Sequence, residues 1–280
     1  MLQLTDEKIK WMEGKARDIR ISVIEMLVEA GSGHSAGALG MADIFTALFF
    51  FIMKHDPTNP SWEERDRLVL SNGHICPVYY ATLAHGGYFP LEELKTLRKF
   101  GSRLQGHPDR NFLPFIETSS GPLGLGLSQA VGMCLADKID NGKYSGKQFY
   151  CLLSDAELQE GNIWEGAMLS AKEKLQNLTV IIDRNNIQIE GFTEDIMPLE
   201  PLQQKWESFN WHVQIIDGHN FEEIIEAVGK AQAIFDKPSV IIANTIPGKD
   251  VSFMEGNYKW HGKAPSKEEG KRALEELKNA

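Results

Sequence analysis

The sequence predicts an α/β fold, a doubly wound and mostly parallel sheet flanked by helices. Three observations predict it. Short apolar runs at residues 149–153, 178–182, 213–216 and 240–243 read as strands covered on both faces. Segments with apolar residues at helical spacing separate these runs, and that alternation favours a parallel sheet with crossover helices. No internal repeat or low-complexity linker interrupts the 280 residues, so residues 1–280 read as one large domain.

The elements follow in order. A first helix is predicted over 6–30. Thr5 can cap it, Asp6 and Glu7 suit its positive N-terminal end, and Gly31 suits a left-handed stop. Ile9, Met12, Ala16, Ile19, Val23, Met26, Leu27 and Ala30 recur at helical spacing along it. A glycine-rich loop, GSGHSAGALG at 31–40, precedes a second helix over 43–53. A short strand covers 68–70 and ends in SNGH, and helices follow over 78–84 and 91–100. GPLGLG at 121–126 opens a helix running to about residue 139. Helices over 163–175, 202–209 and 221–235 alternate with the strands named above. The charged run 266–279 predicts a final amphipathic helix capped by Ser266.

Composition excludes several functions. The chain carries 29 basic and 39 acidic residues, a net charge of −10, which opposes general nucleic-acid binding. A small anionic ligand stays open, because backbone N–H groups and a metal hold phosphate without a basic surface. The longest apolar stretch, 44–53, is about half of the ~18 residues a membrane helix needs, so no membrane span is expected. MLQLTDEKIKW has no basic segment leading into an apolar one, so no signal peptide is read. Cys76, Cys134 and Cys151 are odd in number and lack CxxC spacing, which fits a reducing, cytoplasmic location. The sequon at Asn177 is then expected to stay unused.

In an open parallel sheet, ligands bind outside the carboxyl ends of the strands. SDAELQEG (154–161) follows one strand and DRNNIQIEG (183–191) follows the next. If those strands are neighbours, Asp155 and Asn185 project into one crevice. A carboxylate, an amide oxygen and a backbone carbonyl suit Mg²⁺, whose remaining positions take phosphate oxygens and water. An aspartate at a strand end serves equally well as a helix cap, and the residues alone leave both readings open. Four histidines, His34, His74, His107 and His261, each stand beside a glycine in a turn-like context, where sites occur. His55, His85, His212 and His219 read as structural or solvated. The glycines of GPLGLG either permit close approach to a ligand or merely tight helix–strand packing.

SDAELQEG followed by NNIQIEG resembles the thiamine-diphosphate signature, usually written GDG with a downstream asparagine. The wider sequence resembles the N-terminal half of transketolase. The ordered matches are SGHSAGALG (32–40), LSNGH (70–74), GHPD (106–109), GPLGLG (121–126), ELQEG (157–161), DRNNIQIEG (183–191), TIPGKD (245–250) and WHG (260–262). Together they cover nearly the whole chain.

The resemblance implies specific roles. Asp155, Asn185 and the carbonyl of Ile187 would ligate Mg²⁺, with Ca²⁺ or Mn²⁺ as alternatives, at the diphosphate of thiamine diphosphate. His74 and the backbone near Ala156 would contact that diphosphate. Gly121 and Leu123 would approach the pyrimidine and linker region. His34, His107 and His261 would line the substrate channel, bonding sugar hydroxyls and moving protons, which suits a side chain with an ordinary pKa of ~6.5. Glu160 and Glu165 match acidic positions that face the same region of a partner copy, although two glutamates on one helix also fit a solvated surface.

Two positions depart from the pattern: Ser154 and Ala156 stand where glycines are usual. A left-handed Ala156 would cost about 1 kcal/mol, and an ordinary φ would cost little. Cofactor affinity is expected to survive, in weakened form. The pattern also lacks a part. In the family, a glutamate of a second, pyrimidine-binding domain activates the cofactor, and no stretch of these 280 residues resembles that domain. The expectation is therefore the N-terminal subunit of a split transketolase, completed by a C-terminal subunit in an α2β2 heterotetramer and acting on sugar phosphates. The clean finish in EELKNA favours a natural end. Alternatives are a 2-oxo acid dehydrogenase subunit, a deoxyxylulose phosphate synthase fragment, or a transketolase for an unusual branched sugar phosphate. Outside enzymes stand a metal- or nucleotide-binding regulatory module and a scaffold subunit.

Overall fold

The computed structural model describes residues 4–142 and 145–280. Helix α1 (Asp6–Ala30) starts and stops as its sequence dictates. Thr5 Oγ1 accepts from Lys8 N, and Gly31 closes the helix at φ +65° with its N–H on Leu27 O. α2 (Ala36–Gly40) and α3 (Ala42–Ala47) follow, and a π-turn spans Leu48–Ile52. Strand β1 (Arg67–Leu70) leads through a 3₁₀ turn at Gly73–Ile75 into α4 (Cys76–His85). A further 3₁₀ turn occupies Leu91–Thr96. The regular part is α5 (Leu125–Asn141), β2 (Phe149–Ser154), α6 (Gly161–Lys172) and β3 (Leu178–Arg184). A small hairpin, β4 (Ile187–Gln188) and β5 (Gly191–Phe192), precedes α7 (Thr193–Ile196) and α8 (Leu202–Ser208). The chain finishes with β6 (His212–Asp217), α9 (Phe221–Gln232), β7 (Ser239–Asn244) and α10 (Lys267–Asn279).

Five strands form one parallel sheet in the order β1-β2-β3-β7-β6. Successive side chains of a strand face opposite ways, so the sheet feeds two cores. Tyr150, Leu152, Ile181 and Ile241 join α1, α3, α4 and α9 on one face. Cys151, Leu153, Val180 and Ile242 join α5, α6 and Trp206 of α8 on the other. The expected doubly wound sheet is present, and β2, β3 and β7 are covered as expected, but edge strand β6 is not: Ile215 there is exposed. In the register, Ser154 lies beside Asp183 and Asp183 beside Ala243, so β2, β3 and β7 end level with one another. Their following residues therefore crowd one edge.

Two expectations need correction, and one element is new. The glycine-rich segment is not all loop, since α2 lies inside it. Its glycines serve close packing: a Cβ on Gly37 would stand 2.9 Å from Ile75 Cγ2, and one on Gly40 would stand 2.9 Å from the Ile246 carbonyl oxygen. The helix expected over 91–100 is only the 3₁₀ turn to Thr96. Arg98 adopts φ +60°, which a continuing helix does not allow. The β4–β5 hairpin is not foreseen from sequence, because two-residue strands are too short to show alternation. At the other end, Ser266 and Glu269 form a full capping box, so the cap predicted for α10 is present.

Candidate functional site

The site is built where the strands end. After β1 come Ser71, Asn72, Gly73 and His74; after β2, Asp155, Ala156 and Glu157; after β3, Asn185 and Asn186. Glu157 ties these turns together. Its buried carboxylate accepts from Ser71 Oγ, from Gly124 N at 2.6 Å and from Ser154 N at 3.2 Å. Ser71 Oγ in turn accepts from Gly126 N at 3.0 Å. The first turn of α5 lies so close to Ser71 that a Cβ on Gly126 would stand 2.3 Å from Ser71 Cβ. GPLGLG therefore serves tight packing at Gly126. At Gly121, φ +152° carries the glycine backbone beside the His107 ring, with half-buried Leu123 two residues on.

Asp155 and Asn185 do come together. β2 and β3 are neighbours, Asp155 N donates to Asp183 O at 3.1 Å, and Asn186 N donates to Asp155 Oδ2 at 2.8 Å. Asp155 also caps the following turn by accepting from Ala156 N, so the cap reading holds. Asn185 Nδ2 donates to Asp183 Oδ2 at 2.7 Å, while its Oδ1 accepts from Ile187 N at 3.0 Å. Burial raises the Asp155 carboxyl pKa despite the Arg184 guanidinium beside it. Asp183, wholly enclosed and bonded by Thr245 Oγ1, is pushed up to about 7, mainly by desolvation.

The four histidines beside glycines form one cluster, drawn from four separate loops. His34 stands 5.1 Å from His74, 6.5 Å from His107 and 5.6 Å from His261, centroid to centroid, and His74 stands 5.1 Å from His261. Loss of water lowers all four pKa values. His34 falls to about 4, with His261, Arg98 and His107 adding to the effect. The cluster is therefore uncharged at neutral pH, each ring offering one donor and one acceptor. Among the described residues, no group of three or more His, Cys, Asp or Glu is placed to hold a metal.

The other histidines lie elsewhere. His55 bonds Phe49 O and Tyr88 Oη, His85 meets Ser22 Oγ, and His212 sits on β6. His219 accepts from Ile246 N at its Nε2, 2.8 Å away, which leaves Nδ1–H to donate to Asp43 Oδ2 at 2.7 Å. Asp43 is clamped by Arg20, whose Nη1 donates to Oδ1 at 3.1 Å and whose Nε donates to Leu39 O. This relay fixes the Ile246 turn over Gly40.

Several participants are not singled out by the sequence. Among the described residues, both polar atoms of Asn72, together with Ser120 Oγ and His34 Nδ1, are buried without a hydrogen-bond partner. Buried polar atoms are normally paired, so these four leave hydrogen-bonding capacity open at the carboxyl end of the sheet. A Cβ on Gly73 would meet Ser120 Oγ at 2.5 Å, so the Asn72 and Ser120 turns touch. Asp183 and Arg184 are legible in the sequence only as the residues just before Asn185. Arg98 is exposed near His34 and His107, with one long bond of 3.4 Å to Gly106 O.

The family described as transketolase, thiamine diphosphate binding domain, matches residues 13–278. This chain belongs to the transketolase family. Among similar proteins, a 6-deoxy-6-sulfo-D-fructose transketolase subunit of a Clostridium species is 45% identical over 266 residues, spanning 95% of this chain and 96% of that one. An apulose-4-phosphate transketolase subunit of Phocaeicola vulgatus is 39% identical, over 96% of this chain and 95% of that one. Human transketolase is 36% identical across 97% of this chain, but across only 42% of its own length. The transketolase structure from Campylobacter jejuni superposes with a TM-score of 0.89 at 36% identity, covering 96% of this chain and 43% of that one. The chain thus spans less than half of the solved transketolase and nearly the full length of the two subunits.

The transketolase chain departs from the usual signature at Ala156, and the backbone decides what that costs. Among the described residues, Ala156 is absent from the non-glycine positions with positive φ. It opens the 3₁₀ turn Ala156–Gln159 with ordinary dihedral preference, so the left-handed penalty does not arise. Glu160 and Glu165 lie exposed at the start of α6, with no ion pair among the described residues, beside exposed Met168 and Leu169. Among the described residues, no helix is long and apolar enough to cross a membrane.

Proposed function

We propose that this chain is the diphosphate-binding subunit of a two-subunit transketolase, which moves a two-carbon ketol unit from a ketose to an aldose. The reading rests chiefly on one observation. Four uncharged imidazoles and the orphaned atoms of Asn72 and Ser120 converge at the strand edge that also holds Asp155 and Asn185.

The donor set fits a hard divalent cation. Asp155, Asn185 and the Ile187 carbonyl would hold Mg²⁺, or Ca²⁺ or Mn²⁺ in its place. His74 and the Ala156 backbone would meet the diphosphate, Gly121 and Leu123 the rest of the cofactor, and Glu160 the partner copy together with Glu165. Bound thiamine diphosphate supplies the nucleophilic carbon and the electron sink. The chain's residues orient the sugar and handle protons. His34 Nδ1, buried and unpartnered, is ready for a substrate hydroxyl. His107 and His261 frame the same space, and as neutral rings they accept a proton more readily than they release one.

A separate subunit would bring the pyrimidine-binding domain and its glutamate, in an α2β2 assembly. Similar chains of matching length are named as transketolase subunits, which supports a partner. Their named sugars carry a terminal anion, a sulfonate in one and a phosphate in the other. A donor ketose ending in phosphate or sulfonate is therefore the expected class, in a cytoplasmic setting that suits three buried free thiols.

The test is reconstitution. The chain is assayed alone and with the subunit that co-purifies with it, on 6-deoxy-6-sulfofructose, apulose 4-phosphate, xylulose 5-phosphate and pyruvate. Ketol transfer only in the mixture is expected. Full activity alone overturns the split site, and turnover of pyruvate but no ketose overturns the reaction class.

A further inference from the structure

Arg184 ends β3 and is only 5% exposed. Three carboxylates hold it. Nη1 donates to Asp155 Oδ2 at 3.0 Å, and Nη2 donates to Glu194 Oε1 at 2.7 Å and to Glu200 Oε1 at 3.0 Å. A buried guanidinium with this many acceptors is firmly anchored, and its planar fork fixes the groups it bonds.

The consequence shows in the lone pairs of Asp155. An ionised carboxylate offers about four acceptor directions over two oxygens. Oδ2 accepts from Arg184 Nη1 and from Asn186 N, which fills it. Among the described residues, Oδ1 accepts only from Ala156 N, at 2.7 Å, which leaves it one open direction. Asn185 is arranged alike: Asp183 takes its Nδ2–H, and Oδ1 accepts once, from Ile187 N. Consecutive residues of β3, Asp183 and Arg184, thus each orient one of the two side chains.

We infer that Arg184 is the positioning residue of the metal site: it pins the Asp155 carboxylate so that Oδ1 alone meets a divalent cation. The inference rests on Asp155 and Asn185 being metal ligands, as proposed above. A positive group beside a metal ligand repels the metal, which opposes the role. Glu194 and Glu200 offset that charge, and their grip on Nη2 keeps the guanidinium from following Asp155 into the cleft. The rival reading makes Arg184 a stand-in cation that the metal displaces. The two readings predict opposite signs.

The experiment titrates Mg²⁺, and separately Ca²⁺, into the full chain bound to its co-purifying subunit in saturating thiamine diphosphate, read by calorimetry. Arg184→Gln is expected to weaken Mg²⁺ binding about 10–100-fold, as loss of an outer-sphere partner commonly does. It is also expected to narrow the preference for Mg²⁺ over Ca²⁺, because a freed carboxylate can turn bidentate, which Ca²⁺ accepts. Arg184→Lys, which keeps the charge and loses the fork, should fall between and decides the matter if the glutamine variant does not fold. A shift in metal preference is not expected from a merely structural role. Unchanged or tighter Mg²⁺ binding in the variant that folds overturns the positioning role. Absence of any Mg²⁺ binding by the wild-type protein overturns instead the ligand assignment on which it rests.

Discussion

His34 and His74 stand with ring centroids 5.1 Å apart, their planes tilted by 55°, and both are half-buried. Placing a second charge in that space is unfavourable, which is why neighbouring imidazoles join desolvation in lowering both pKa values.

Stability should therefore fall in acid through this cluster. His34 titrates near 4 in the fold, against an ordinary ~6.5 unfolded. Between those values the unfolded chain binds more protons, so stability is full above about 6.5 and drains as pH falls towards about 4. Asp183, raised to about 7, slopes the opposite way between its unfolded value and 7, so the useful quantity is a difference between two proteins. In thermal melts from about pH 7.5 to 4.5, wild type should lose stability relative to His34→Gln as pH falls. Parallel curves would mean that His34 carries no such penalty.

Glu157→Gln should loosen the site without touching a ligand. Two of the three donors to Glu157 are backbone N–H groups, and an amide NH₂ turned towards either leaves donor facing donor. Such a mismatch costs about 1–3 kcal/mol. The melting temperature should drop by several degrees, and the concentration of thiamine diphosphate for half-maximal rate should rise more than kcat falls. A fall in kcat alone would place Glu157 in the chemistry instead.

Asp155→Asn separates fold from cofactor. The amide can still accept from Ala156 N through its oxygen, but its NH₂ would confront Arg184 and Asn186 N. The apo protein should lose about 1–3 kcal/mol. Wild type should melt higher with Mg²⁺ and thiamine diphosphate, because a ligand that binds only the folded state stabilises it. The variant should show no such rise at the same concentrations. A rise equal to that of wild type would remove Asp155 from the metal site.

Ala156→Gly tests the departure from the usual glycine. With no left-handed strain to relieve, the variant gains nothing from backbone relaxation. Glycine in a helical turn costs roughly 0.5–1 kcal/mol relative to alanine. The expected result is a slightly lower melting temperature and thiamine diphosphate affinity tightened by no more than a few-fold. A gain of about tenfold, which is about 1.4 kcal/mol, would show that the alanine methyl itself obstructs the diphosphate.

Much of this is legible in the chain. Long strands and helices announce themselves, because α1 and α9 repeat apolar residues over several turns and β2, β3 and β7 are runs of buried side chains. The glycine-flanked histidines are legible by local context, and the crevice of Asp155 and Asn185 follows once β2 and β3 are taken as neighbours. Other parts depend on contacts between residues far apart in sequence. Glu157 reaches Ser71 and Gly124, and Arg184 reaches Asp155, Glu194 and Glu200. No spacing rule encodes such meetings. Asn72 and Ser120 matter for the partners they lack, which only three-dimensional placement reveals. Glycines mislead in one place: Gly37 and Gly40 look like loop formers and prove to be helix residues that let Ile75 and Ile246 come near.

The relay from Arg20 through Asp43 and His219 to the Ile246 amide has a thermodynamic consequence. It holds the Ile246 turn through groups that already bond one another in the folded chain. The conformational entropy of that turn is surrendered when the chain folds, not when a ligand arrives. Binding then has less to immobilise on the protein's side, and more of each contact's energy remains for orienting the reacting atoms.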